Sequence, residues 1–344
     1  MSDGGLALLE SRCRGVPDVL RSVLAAPLPS LRSLARRERW VVTGIGGSEG
    51  PARVFAALLR RHLHVAASFV PLSAFAPRRS ADVTDPSAVL AVFTQGVSPN
   101  ARLALASLPS FGGALVVTGT PDDPGLAAAR DLGAVVASHP PGPEPGLLVR
   151  IQGPAAATML ALRLVDALAE VRGGAAPFDT RLAEAIPAEG CVATPLGREE
   201  RALVDAGCVA LVTSDAGLDL AQALRWKWLE GAGTCDPPVW DALQFAHGPL
   251  QHVWDRPKLL LALGSDGDDG AEDLTARLES LVDGRAPVRR LVARHAGALG
   301  FFDLDAQVNG LVVEALRGGA RDLARWPGQG RDGALYGLGA AEPR

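Results

Sequence analysis

The sequence predicts an α/β protein with parallel sheets, laid out in two similar halves. Three observations carry this. Short apolar, strand-like runs alternate with segments of helical periodicity. Two glycine- and serine-bearing loops fall where such runs end and helices begin. The stretch Arg172-Gly-Gly-Ala-Ala-Pro177 reads as a linker between a first set of alternations and a second.

The elements follow in order. After a helical lead-in (1–39), strands are expected at Val41–Thr43, Val65–Val70, Val89–Thr94, Ala114–Thr118 and Ala134–Ala137. Helices are expected at Pro51–Leu63, at about Ser98–Leu108 and at Pro154–Val171. Parallel strands joined in this way are covered on both faces, which suits their near-continuous apolar character. The second half repeats the plan with strands at Val209–Thr213, Lys258–Leu263, Val288–Val292 and Leu299–Phe302. Its helices are expected at Thr180–Ile186, Arg198–Ala206, Gly217–Glu230, Ala271–Val282 and Asp305–Leu316. The resulting domain plan is 40–173, a linker 174–178, 179–325 and a tail 326–344.

Composition excludes several classes. The 344 residues are 48% hydrophobic and 21% charged, which is globular, and exceed what one core usually serves. A net charge of −4 gives no broad basic surface for nucleic acid. The apolar runs are strand length, short of the ~20 residues a membrane helix needs. Met1–Gly15 has an early acidic residue and no basic-then-apolar ramp, so it does not read as a signal peptide. Cys13, Cys191, Cys208 and Cys235 show no metal-ligand spacing, and a cytoplasmic protein with buried or incidental thiols is expected.

The first loop, Gly44-Ile45-Gly46-Gly47-Ser48-Glu49, lets the backbone approach a ligand and offers the Ser48 hydroxyl and fresh helix amides. The second, Thr94-Gln95-Gly96-Val97-Ser98-Pro99-Asn100, places Ser98 as a helix cap with Pro99 after it. Two such loops at neighbouring strand ends define an anion site at the carboxyl edge of a parallel sheet.

These two loops, with Phe245-Ala-His-Gly-Pro-Leu250, resemble the signature loops of tandem sugar isomerase (SIS) domain proteins. The type is that of the isomerase domain of glucosamine-6-phosphate synthase and its aldose–ketose isomerase, deaminase and deglycase relatives. The resemblance covers about Arg39–Arg325. It implies two flavodoxin-like three-layer domains, a homodimer, no metal, no cofactor and a carbohydrate-derivative ligand held between the halves. It assigns phosphate contacts to Gly46, Gly47, Ser48, Thr94, Gln95, Gly96 and Ser98. It also assigns ring opening to His247 and the enediol-forming base to Glu230, seventeen residues before His247 and one more than the family spacing.

The chain departs from that pattern in three places. The second loop is one residue short of the family's Ser-Gln-Ser-Gly turn and lacks one hydroxyl. The family's Ser-Thr-Lys turn has no match at Arg150-Ile-Gln-Gly-Pro154, where Gln152 or Arg150 is the local donor. Where the synthase has a C-terminal lysine, Arg325 follows Asp322-Leu-Ala324; arginine clamps a carboxylate or phosphate but forms no Schiff base.

The residue chemistry supports the same pair. Moving a proton between adjacent sugar carbons needs a carboxylate raised by partial burial and a group that exchanges protons near neutrality. Glu230 ends an apolar helix where Gly231 and Gly233 break it, and Gly248-Pro249 fixes the backbone after His247. Trp226, Trp228, Trp240 and Trp254 cluster in sequence around these residues and read first as core. Gly264-Ser-Asp-Gly-Asp-Asp-Gly270 has a calcium-loop composition but no closing glutamate, and reads as a solvated loop. Two functions remain open: a cofactor-independent sugar-phosphate or amino-sugar isomerase or deaminase, and a phosphosugar sensor without turnover. The absence of a basic helix-turn-helix favours the enzyme.

Overall fold

The computed structural model describes residues 3–76, 79–214, 217–233, 236–317, 323–325 and 328–338. The chain divides into two compact units, each holding one parallel sheet. One comprises Asp18–Pro145, Gln152–Leu182 and Arg325–Arg344, and the other Met1–Pro17, Gly146–Ile151 and Ala183–Ala324.

In the first unit the strands are β1 (Arg39–Gly44), β2 (Ala66–Phe69), β3 (Val89–Thr94), β4 (Gly113–Thr118) and β5 (Val135–Ser138). They pair in the order β2-β1-β3-β4-β5, all parallel, which is the flavodoxin-like order. Every residue of β3 is buried, as expected of a strand covered on both faces. Its side chains alternate between two layers. Leu90 and Val92 join a core with Leu72, Phe75, Ala104, Leu108 and Leu126. The Phe93 ring lies tilted, 5.5 Å between centroids, against Phe55 of the helix Glu49–Leu63, which packs against the long helix Gln152–Val171. The linker is held down by Asp166, whose carboxylate accepts from the amides of Phe178 and Asp179 at 2.9 Å each.

The second unit contains β6 (Val209–Thr213), β7 (Val239–Asp241), β8 (Leu259–Ser265) and β9 (Val288–Ala293) in the order β7-β6-β8-β9. Phe245, Val253, Leu278 and Val282 cover one face through Ala210, Val212 and Leu260. The helix Phe301–Arg317 packs against β9 and against the helix Gly217–Lys227. β9 is an edge strand, and its Arg289 and Arg290 are paired with Glu200 and Glu279.

Several boundaries differ from expectation. Leu299–Phe302 is not a strand: Gly297–Gly300 forms a 3-10 turn that leads into Phe301–Arg317. Its four residues, Leu-Gly-Phe-Phe, are too few to separate strand from helix period, and Gly297 takes φ 65° at the turn. The three-residue strand β7 was not anticipated, because Pro237 and Pro238 precede it. The second-loop helix is shorter than expected, Ala101–Ala106. Among the described residues no helix is long and apolar enough to cross a membrane.

Candidate functional site

In the first unit the strand register brings the loops together. Gly44 is opposite Phe93, Thr94 opposite Thr118, and Thr118 opposite Ser138. The segments leaving β1, β3, β4 and β5 therefore emerge side by side at the carboxyl edge. Gly46–Ser48 forms a 3-10 turn with Gly46 at φ 57°, and Ser48 is buried. Gly44 must be glycine, since a Cβ there would stand 2.5 Å from the Ser48 carbonyl oxygen. In the second loop the Thr94 hydroxyl donates to the Gly96 carbonyl, and the Ser98 hydroxyl accepts from the Ala101 amide at 3.2 Å. Ser98 thus makes a capping contact, although the regular helix starts three residues later.

Gln95 lies against the start of the long helix: a Cβ on Gly153 would meet its Nε2 at 2.5 Å and Glu144 Oε2 at 3.1 Å. The buried Glu144 carboxylate accepts from the amides of Gln152 (3.1 Å) and Gly153 (2.8 Å). It neutralises the positive end of that helix. Arg325 is solvent-exposed, and Asp322 and Trp326 lie outside the described residues. Part of the tail reaches the second loop, where Asn100 Nδ2 donates to the Leu335 carbonyl at 3.1 Å.

His139 and Glu144 were not singled out from sequence, because both sit in a Pro/Gly-rich stretch that reads as loop. The structure buries both. His139 follows β5, its amide donating to the Thr118 carbonyl, and its ring lies against Gly119. Burial lowers its pKa from 6.5 to about 4, against the partial support of the Pro140 carbonyl and the Glu144 charge. Between those values the unfolded chain holds the proton and the folded chain does not, so stability rises with pH across that window. Asp166 acts oppositely: raised by burial from 3.8 to about 6, it binds its proton first in the folded state. A comparison isolates the histidine. Relative to wild type, His139→Asn should lose about 3 kcal/mol of the rise in stability between pH 4 and 6.5, read from urea midpoints. Identical pH dependence in the two proteins would refute the neutral, buried histidine.

In the second unit the helix expected to run to Glu230 ends at Lys227 and opens into a π-helical turn, Trp228–Ala232. π turns recur at functional sites because they redirect side chains out of the regular ladder. Glu230 is half-buried on this turn, and Gly231 packs so closely on Val312 that a Cβ would stand 2.6 Å from its Cγ1. Directly before it, Lys227 is 2% exposed, pairs with Asp305 at 2.5 Å and donates to Asn309 Oδ1 at 3.1 Å. His247 sits on the turn between the helices Ala242–Phe245 and Pro249–Asp255, next to Gly248 at φ 137°. Its ring is exposed, has no hydrogen bond among the described residues, and is not joined to Glu230.

The tryptophans differ in environment. Trp228 is buried, Trp226 and Trp240 are half-buried, and Trp254 is exposed with the Arg285 guanidinium 4.9 Å from its ring centroid. In the aspartate-rich loop, Asp268 caps the helix Asp269–Val282 by accepting from the Ala271 amide at 3.0 Å. Among the described residues, Thr43 Oγ1 before the first loop, Gln95 Nε2 and Asn100 Oδ1 in the second, and Trp228 Nε1 on the π turn are buried and make no hydrogen bond.

No protein-family model and no curated protein matches the sequence. Solved structures do match. The C-terminal domain of glucosamine-fructose-6-phosphate aminotransferase from Francisella tularensis aligns over 92% of this chain and 97% of its own, at 14% identity and a TM-score of 0.67. Tagatose-6-phosphate ketose/aldose isomerase from Escherichia coli aligns over 93% and 97%, at 19% identity and 0.66. Glucosamine-6-phosphate deaminase from Thermotoga maritima aligns over 90% and 95%, at 15% identity and 0.66. At these identities the likeness is one of architecture, and the chain has the α/β fold of these sugar-phosphate enzymes.

Proposed function

We propose that this protein is a cofactor-independent sugar-phosphate or amino-sugar isomerase or deaminase. Its ligand is held by the loops of Gly46, Gly47 and Ser48 and of Thr94, Gln95, Gly96 and Ser98, with Gln152 and Arg325 as further donors. His247 opens the sugar ring, and Glu230 removes the proton next to the carbonyl to give an enolate or enolamine. Isomerisation returns that proton to the neighbouring carbon, and deamination expels ammonia from the same intermediate. The substrate carbonyl is its own electron sink. A homodimer would allow His247 to act from a second copy.

The observation that carries this reading is the strand register that sets the Gly46–Ser48 and Thr94–Ser98 loops side by side at the carboxyl edge of a parallel sheet, the edge at which open α/β sheets bind ligands. The exposed, unlinked His247 supports a second reading, a phosphosugar sensor without turnover.

A thermal-shift panel of hexose, pentose and amino-sugar phosphates beside their unphosphorylated forms separates the alternatives. A ligand at a hundred times its Kd adds about 2.7 kcal/mol of stability. A phosphorylated sugar should stabilise the wild type, and Ser98→Ala should lose most of that gain. Stabilisation together with exchange of the C2 hydrogen into D2O identifies the enzyme, whereas stabilisation without exchange identifies the sensor. No stabilisation by any sugar would remove both readings.

A further inference from the structure

Cys13 and Cys191 are far apart in sequence and together in space. Cys13 ends the helix Asp3–Arg14 and is fully buried, while Cys191 is half-buried in the segment that crosses it. The approach is backbone-close: a Cβ on Gly190 would stand 1.9 Å from the Cys13 carbonyl oxygen. The two thiols titrate as a pair, the neighbouring Cys191 and burial raising the pKa of Cys13, and Cys13 lowering that of Cys191. Burial and the Glu10 charge oppose the Cys191 thiolate, and Arg317 and Arg14 favour it. Cys191 also lines a cavity of about 520 Å³, whose charged lining is Glu10, Glu189 and Glu314 with Arg14 and Arg317. Redox-sensitive cysteines are partly exposed and poised beside a second thiol. Cys208, half-buried elsewhere in the unit, donates only to the Ala206 carbonyl at 3.7 Å.

We propose that Cys191 is a peroxide-sensitive modification site with Cys13 as its resolving cysteine. The Cys191 thiolate attacks one oxygen of hydrogen peroxide or an organic hydroperoxide, breaking the O–O bond. This gives a sulfenic acid and releases hydroxide or alkoxide. Cys13 then attacks the Cys191 sulfur, its proton leaves with the sulfenic hydroxyl as water, and the S–S bond forms. The two thiols are oxidised by two electrons and the peroxide is reduced. The disulfide would fasten the N-terminal helix to the Gly190–Cys191 segment. The Gly190 carbonyl already accepts from Asn309, which also holds Lys227 ahead of the π turn.

The test uses the whole protein with hydrogen peroxide as probe. Non-reducing peptide mass spectrometry should find Cys13 joined to Cys191, with both thiols recovered on reduction and Cys208 still free. Cys13→Ala should stop at the sulfenic acid, captured on Cys191 by a dimedone-type reagent, and Cys191→Ser should show neither product. Because a change at buried Cys13 can disturb folding, the wild-type cross-link decides independently of the variants. Oxidation of Cys208 ahead of Cys191, or a wild-type Cys191 sulfenic acid that never passes to Cys13, would overturn the proposal.

Discussion

A Glu230→Gln variant should lose exchange of the sugar C2 hydrogen by a factor of about 10² to 10⁴, the range a positioned general base contributes. That is about 3–5 kcal/mol of transition-state stabilisation. Glutamine keeps the size of the side chain and cannot take the proton. Ligand-induced thermal shifts should therefore persist, because the loops of Ser48 and Ser98 lie on other segments. The expected pattern is a collapsed kcat with a nearly unchanged binding constant. Exchange within about threefold of wild type would show that another group is the base.

The second large effect is on stability. Lys227→Met should destabilise its unit by about 3–5 kcal/mol, because it breaks a buried ion pair with Asp305, whose side chain is 1% exposed. Asn309 would lose a donor as well. Replacing both ions, Lys227→Met with Asp305→Leu, should recover much of that loss, since the desolvation of the pair disappears with the pair. Urea midpoints for the single and double variants check this. A single variant within about 1 kcal/mol of wild type would mean that water reaches the pair. As Lys227 adjoins the π turn, its replacement should also lower activity through Glu230.

Legibility in the sequence followed the physics of each element. β3 and β6 match their expected limits because a buried parallel strand is a bounded apolar run of β-favouring residues. Leu299–Phe302 has the same local character and enters a helix, since only packing on β9 distinguishes the two outcomes. The carboxyl-edge loops were readable from glycine, serine and proline placement. The π turn was not, because its one-residue widening leaves no compositional mark. His139 and Glu144 were equally hidden, as burial of a polar residue in a Pro/Gly stretch depends on the register of β4 and β5. The pairing of Cys13 with Cys191 depends on helix packing across many residues and has no sequence spacing to announce it.

The edge strand β9 has a consequence for how this protein behaves in a crowded solution. An open strand edge is a template on which another chain can add hydrogen bonds and begin to aggregate. Here the adjacent Arg289 and Arg290 point to opposite faces, and each is fastened by a carboxylate from a neighbouring helix. An incoming strand would meet fixed ion pairs on both sides and would have to strip them of water before pairing. The second sheet thus stays open at four strands without inviting a fifth from another molecule.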